Sequence, residues 1–315
     1  MWAPSAHNTQ PWAWAIEGIS VRVQREPTRC LEAGDPTGRQ TFLSIGMFIE
    51  ALTVAGAARA LDAEVEVVAL AARDTDAAVV HFASGENATP EAIALAEALP
   101  RRHTDRGLYF QDPAPPWLGE TGILAGLDEV ELTTITDGAG KAAVADLVAQ
   151  GTRLALALPK MRRELARLTY WDAEACEVGM PVQAMVPDVH PDGAAPEWTL
   201  RHLSPEDDAA GAYERYSTTP VICVLSTRCD DPAAWVSAGR AGMRFLLRAA
   251  VDGLTHCIAA APVEVPTLVP QLRALTTPNG SRPQLVFRLG RPRVPVSSRS
   301  RRLRATATQL ATSVA

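Results

Sequence analysis

Ala3-Pro4-Ser5-Ala6-His7-Asn8-Thr9-Gln10-Pro11-Trp12 is the stretch whose reading decides the rest of the chain. Pro4 and Pro11 each lack a backbone donor and push the residue before them towards extended conformations, so the segment between them reads as a loop. Ser5, Asn8, Thr9 and Gln10 are polar side chains that bond readily to backbone or to a ligand's heteroatoms, and Trp12 offers an indole to a core. A polar loop clamped by two prolines and an indole makes a floor for a planar, hydrogen-bonding ligand. The same residues also make an ordinary Asx- or Ser-type turn, and composition alone favours that turn.

With 315 residues, 47% of them hydrophobic, the chain can bury one large core or two smaller ones. A net charge of -6 and a pI near 5.6 argue against a nucleic-acid surface, and the densest basic run is confined to residues 299–304. No apolar run approaches the ~20 residues needed to cross a bilayer, and no charged-then-apolar leader precedes the opening loop. A cytoplasmic location with no membrane partner is expected. Cys30, Cys176, Cys223, Cys229 and Cys257 lack a Cys-x-x-Cys spacing, so neither a disulfide framework nor a metal site is expected.

Working outward, residues 13–25 alternate apolar and polar and predict a strand pair interrupted at Gly18. Residues 39–61 carry Phe42, Ile45, Ile49 and Leu52 at helical spacing behind an Asp35-Pro36-Thr37-Gly38 turn. Strands follow at 65–70 and 77–82, then a helix at 90–99. Beyond these come a helix at 117–127, a strand at 130–135 and a long helix at 139–158 started by Asp137. Gly138 and Gly140 approach a dinucleotide fingerprint, but no acidic residue follows at the required distance, so they read as a helix start. Strands at 220–226, 254–260 and 284–290, with helices at 235–251 and 267–275, complete the pattern.

Two segments fall outside it. Arg101-Arg102-His103-Thr104-Asp105-Arg106 sets several guanidiniums and a hydroxyl at a chain turn, a set that binds phosphate and that also occurs as a solvated charge cluster. Residues 159–216 show no sustained periodicity and read as a lid, with Tyr170, Trp171 and Met180 available to pack over a site. His7, His103 and His256 lie in or near these segments, and a lone histidine is more often a satisfied structural group.

Pro4-Ser5-x-x-Asn8-x-Gln10-Pro11-Trp12 resembles the loop that lies against the isoalloxazine of FMN in the nitroreductase family of flavin enzymes. The segment 101–106 resembles that family's phosphate-gripping arginine motif. Gly253-Leu254 through Pro262-Val263-Glu264 resembles the stretch passing the flavin's N5 edge. Residues 284–290 resemble the last core strand, and Arg301-Arg302 the late basic pair near the phosphate. The order is permuted: family members carry the arginine motif before the loop, whereas here the loop comes first. That permutation, with a lid, resembles the Acg-type branch of actinobacterial nitroreductase-like proteins, in which one chain mimics the family homodimer. No helix precedes the loop, so the chain is expected to begin inside the fold.

The resemblance implies an α+β nitroreductase-like fold with two pseudo-symmetric halves. Residues 1–100 would donate the flavin-facing loop, and residues 101–315 the phosphate and N5 side, with the lid inserted at about 159–216. It implies one FMN per chain. Ser5, Asn8 and Gln10, with Pro4, would meet the isoalloxazine. Arg101, Arg102, Thr104, Arg106, Arg301 and Arg302 would hold the phosphate, and the backbone at Pro262, Val263 and Glu264 would face N5. NAD(P)H would be the reductant and a nitro-aromatic or quinone the small-molecule acceptor, with no catalytic side chain required. A fused monomer or weak homodimer is expected. The rival reading is a flavin-sequestering protein whose lid stays shut over the cofactor.

Overall fold

Trp12–Glu17 (β1) and Ser20–Arg25 (β2) form an antiparallel hairpin whose turn is taken by Gly18 at φ 63°. Arg39–Ala57 (α1) follows, and Asp35 starts it: the carboxylate accepts the Gln40 and Thr41 N–H groups at 3.0 and 2.8 Å. Leu61–Val67 (β3) and Asp76–Ser84 (β4) complete an antiparallel sheet of order β1-β2-β4-β3, and Pro90–Ala98 (α2), capped by Thr89, ends this part. The computed structural model describes residues 2–171, 177–186, 189–277 and 280–294.

A second antiparallel sheet is built from Val130–Ile135 (β5), Val221–Thr227 (β8), Thr255–Ala259 (β9) and Arg282–Gly290 (β10), in the order β5-β8-β10-β9. Between β5 and β8 lie Gly138–Ala157 (α3), Pro159–Arg167 (α4), the two-residue strands Thr169–Tyr170 (β6) and Met180–Pro181 (β7), Ala195–His202 (α5) and Pro205–Ser217 (α6). Pro232–Val251 (α7) joins β8 to β9, and Ala261–Glu264 (α8) and Val269–Thr276 (α9) join β9 to β10. Both sheets therefore pair their strands as first, second, fourth, third, with a long helix after the second strand.

Those two helices pack on each other. An added Cβ would fall 2.1 Å from the Val236 carbonyl oxygen at Gly46 and 2.2 Å from the Leu43 carbonyl oxygen at Gly239. The crossing is backbone on backbone, and only hydrogen fits at either position. One continuous cluster contains Val23, Phe42, Ile49 and Val80 from the first sheet and α1 together with Val236, Phe245 and Phe287 from the second half. By length and composition α1 resembles a membrane span, yet it is mostly buried in this cluster.

Two expectations are corrected. Residues 117–127 form two short 3-10 turns, Pro116–Gly119 and Thr121–Leu124, because Gly119, Gly122 and Gly126 weaken a longer helix. Within 159–216, α6 is a regular helix packed on α3, with Ala209, Ala212 and Tyr216 buried. Its start is written in Ser204-Pro205-Glu206-Asp207: Ser204 Oγ accepts the Asp207 N–H at 3.1 Å, proline takes the first position and acids fill the first turn. The segment that stands apart from the sheets thus ends before α6.

Gly46→Ala and Gly239→Ala are each expected to lower unfolding free energy by about 2 kcal/mol or more, read by urea denaturation, since neither carbonyl can withdraw without moving a helix. Gly138→Ala, at the open start of α3 with nothing within 4 Å of the new Cβ, should be neutral or stabilising.

Candidate functional site

The opening loop holds its shape with its own groups. Asn8 N–H donates to the Ser5 carbonyl at 3.0 Å, Thr9 N–H to Ala6 at 3.0 Å, and Gln10 N–H to Ser5 Oγ at 2.9 Å. His7, Asn8 and Gln10 take φ values of 48°, 57° and 51°, three non-glycine residues in the left-handed region within one turn. Such strain persists only where surrounding structure enforces it, and it collects at binding sites. Trp12 supplies part of that enforcement by stacking on Phe48 of α1, ring centres 5.0 Å apart and planes 16° from parallel.

Pro4, Ser5 and His7 face a cavity of about 230 Å³. Arg39, Gln40, Leu43, Ser44 and Met47 line it from one side of α1. Thr104 and Arg106, the end of β9 at Ile258 and Ala259, Val263 of α8, and Gln284 and Leu285 of β10 form the opposite wall. Segments far apart in sequence, some before residue 50 and some after residue 100, thus share one wall-to-wall space with cationic, hydroxyl and apolar surfaces.

The 101–106 segment divides by alternation. After α2 ends, Arg101 and Arg102 N–H groups both return to the Ala98 carbonyl, and the chain then runs extended, with Thr104 bridging His256 on β9 and Asp105 N–H donating to the His256 carbonyl at 2.8 Å. Alternate side chains of an extended segment share a side. Thr104 and Arg106 consequently reach the cavity, whereas Asp105 turns away to accept the Gly107 N–H at 2.6 Å. Arg101 lies in the turn, exposed, with Nε on the Glu97 carbonyl at 3.2 Å. Arg102 is buried, 3.2 Å from His256 Nε2 and 3.2 Å from the Trp2 carbonyl. Neither lines the cavity, so of the four residues of this segment expected at a phosphate only Thr104 and Arg106 face it.

Other expected contacts are also spent elsewhere. Gln10 Nε2 donates to the Glu177 carbonyl at 2.7 Å and Asn8 Nδ2 to the same oxygen at 3.3 Å, so these amides hold the 177–180 segment instead of facing the cavity. Val263 lines the wall, while Pro262 is buried and does not line it. Glu264 pairs with Arg39, which also donates to the Gln284 carbonyl. Burial holds the Glu264 carboxyl above the usual carboxylate range, against the opposing pull of the Arg39 charge. Arg301 and Arg302 lie outside the described residues.

The three lid side chains do not enter the cavity. Trp171 packs edge-on against Trp198 at 5.5 Å and donates Nε1–H to the Gly193 carbonyl at 2.8 Å. Tyr170 reaches the Gly179 carbonyl at 3.4 Å, and buried Met180 packs with Leu156 and Leu165. The segment expected to form a lid is nevertheless fastened to the rest of the chain. Arg106 reaches the Ala184 carbonyl at 3.4 Å and Met180 Sδ at 3.5 Å, and Glu164 of α4 accepts the N–H groups of Glu32, Ala33 and Gly34 at 2.7, 2.9 and 2.7 Å.

Two residues that sequence reasoning passed over shape the site. Arg39 opens α1 and presents a buried charge to the cavity. Arg288, fully buried on β10, donates to the carbonyls of Asp105 and Gly107 at 3.2 and 2.7 Å and lies 3.9 Å over the Tyr109 ring. Tyr109 in turn donates its hydroxyl to the Asp105 carbonyl at 3.0 Å, and burial pushes its phenol well above the usual range. Arg288 therefore sets the backbone that aims Thr104 and Arg106. An arginine inside an otherwise apolar strand was the available signal. Among the described residues, no group of His, Cys, Asp and Glu is placed to hold a metal ion.

The chain is similar to "Putative NAD(P)H nitroreductase Rv3131" of Mycobacterium tuberculosis, 28% identical over 291 residues that span 91% of this chain and 81% of that protein. It is likewise similar to "Putative NAD(P)H nitroreductase acg" of the same species, 28% identical over 265 residues, 81% of this chain and 76% of the relative. No protein-family profile matches the sequence. Among solved structures, a Bacteroides fragilis nitroreductase with bound FMN aligns with a TM-score of 0.40 at 13% identity, over 69% of this chain and 97% of that one.

Arg288→Met keeps the bulk and removes the donors, so amide exchange at Asp105 and Gly107 is expected to speed up by about tenfold or more, corresponding to loss of charge-assisted bonds of about 1.5–3 kcal/mol. For Glu264 the sign follows from its raised folded-state pKa. Its contribution to stability is complete below the ordinary value near ~4.3 and is lost as pH climbs through the folded value. Glu264→Gln stays neutral throughout, so the stability difference from wild type should move in the variant's favour as pH rises above the ordinary carboxylate range. Urea unfolding at constant ionic strength reads this, and a difference independent of pH would remove burial as the cause.

Proposed function

We propose that this nitroreductase-like chain is an FMN-dependent NAD(P)H oxidoreductase passing reducing equivalents to a nitro-aromatic or quinone-type acceptor, with one FMN per chain. The observation carrying the reading is the meeting of Pro4 and Ser5 with Thr104, Arg106 and Val263 around one cavity, although the sequence separates them widely. Names of curated relatives that span most of the chain support the same reading.

The donor set suits the cofactor. Leu43, Met47, Ile258, Val263 and Leu285 give apolar faces for a planar ring, the loop and the β9–α8 backbone give polar edges, and Arg106 with Thr104 gives a cation and a hydroxyl for a phosphate. When bound, FMN supplies the hydride and electron chemistry. The chain's residues bind and orient: Arg106 offers charge-assisted donors, Arg39 holds a buried positive charge fixed by Glu264 and the Gln284 carbonyl, and the strained loop presents backbone at a set height. The two sheets of matching strand order fit a fused pseudo-dimer in which the first half supplies the loop and α1 face and the second supplies the phosphate side.

Lid side chains do not line the cavity, which favours turnover over permanent sequestration; the Glu164 and Glu177 fastenings favour the opposite. The absorption spectrum of the purified protein, followed by anaerobic NADPH and then NADH, separates them. Flavin absorbance that bleaches on addition supports the oxidoreductase. Absorbance that persists supports sequestration, and no absorbance after incubation with FMN removes the flavin reading. Arg106→Ala is expected to weaken FMN binding by about 10- to 100-fold, the span of one lost charge-assisted bond, and Asp105→Ala by much less. Flavin fluorescence titration measures both, and equal losses would remove Arg106 from the phosphate.

A further inference from the structure

A second cavity, of about 540 Å³, lies between α4 and α5 and the 32–33 loop, and the site described above makes no use of it. Lys160, Arg163 and Arg167 all line it. Their spacing of three and four residues puts them on one side of α4. None of the three is among the ion pairs of the described residues, and what sets them apart from other unpaired surface arginines is that all three meet at one concavity. In a chain of net charge -6, three cations gathered at one concavity without carboxylate partners point to an anionic occupant.

Two acids share the wall. Glu164 is 8% exposed and turns both oxygens onto the backbone N–H groups of residues 32–34, so it supports the loop rather than pairing with the cations. Glu32 stands at the rim. The two cavities are neighbours through one strip of chain. Gln40, which lines the first, donates Nε2–H to the Gly34 carbonyl at 2.8 Å, and Gly34 N–H donates to Glu164 of the second at 2.7 Å.

We propose that this second cavity binds the 2′-phosphate of NADPH and makes the protein selective for NADPH over NADH; this rests on NAD(P)H being the reductant. A phosphomonoester carries about -1.5 to -2 charges at pH 7 and three acceptor oxygens, a match for guanidinium forks and an ammonium. NADH lacks that group, so the cations discriminate between the two dinucleotides.

The test is calorimetric titration of the purified protein with 2′,5′-ADP, 5′-AMP and inorganic phosphate. The expected result is 2′,5′-ADP binding tighter than 5′-AMP by about tenfold or more, one charge-assisted contact or better. Arg163→Gln and Arg167→Gln should each bring that ratio towards one, and Arg153→Gln, on α3 and away from the cavity, should leave it. Equal affinities for the two nucleotides overturn the proposal, as does a ratio unmoved in both variants. Inorganic phosphate binding as tightly as 2′,5′-ADP overturns the dinucleotide assignment in favour of a general anion site. The flavin reading fails separately: a protein that takes up no FMN but keeps the ratio loses that reading alone, and a flavin-loaded protein with equal affinities loses this one alone.

Discussion

Everything at the site depends on the contact between α1 and α7, where Gly46 and Gly239 bring backbone against backbone. A side chain at either place would hold the helices apart, and α1 carries Arg39, Gln40, Leu43, Ser44 and Met47 along the wall of the cavity. On the opposite wall stand the end of β9, α8 and β10, and α7 packs on β9 and β10. The width of the cavity is therefore tied to the closeness of a helix crossing in which Leu43 serves twice, its carbonyl against Gly239 and the residue itself in the cavity wall. Interiors packed at crystal-like density transmit such a constraint without slack.

Around that crossing the two halves are tied by polar contacts of an asymmetric kind. Arg39 from the first half is met by Glu264 and a β10 carbonyl from the second, and Glu164 from the second is met by three N–H groups of the first. Each buried charge is received by several groups on the other side, which is how an ionic group taken out of water avoids the full cost of desolvation. Glu50 of α1 follows the same rule, held by Arg240 at 2.9 Å and Arg244 at 2.5 Å of α7. Separating the halves would strand these charges, so the seam is closed by the penalty for opening it as much as by apolar burial.

How far the site could be read in advance follows from the range of the forces involved. The 3–12 loop was legible because prolines and short polar side chains act on their immediate neighbours, and α1, α7 and β10 because periodicity is local. The split of the 101–106 segment was not legible. Which of its side chains face inward is decided by pairing Thr104 with His256, a partner from the far end of the chain. Asn8 and Gln10 failed for a related reason: an amide serves a ligand or a carbonyl equally well, and the Glu177 carbonyl that takes them comes from a segment nearly 170 residues on. For α6 the signal was present in Ser204 to Asp207, but the irregular residues ahead of it masked the resumption of helical order.

The buried arginines show what the fold prepares before any ligand arrives. Arg39 and Arg288 are 3% and 0% exposed, yet they play different parts. Arg288 sits behind the 105–107 backbone and acts on the cavity only through the residues it aims, its charge spread over two carbonyls and an aromatic face. Arg39 opens onto the cavity itself, so its charge is already desolvated and oriented, and no rearrangement is required when negative charge enters. Lys160, Arg163 and Arg167 differ from both: they remain in water on long flexible side chains, and an anion must order them as it binds. The same type of charge is thus fixed and buried at the first cavity and loose and exposed at the second.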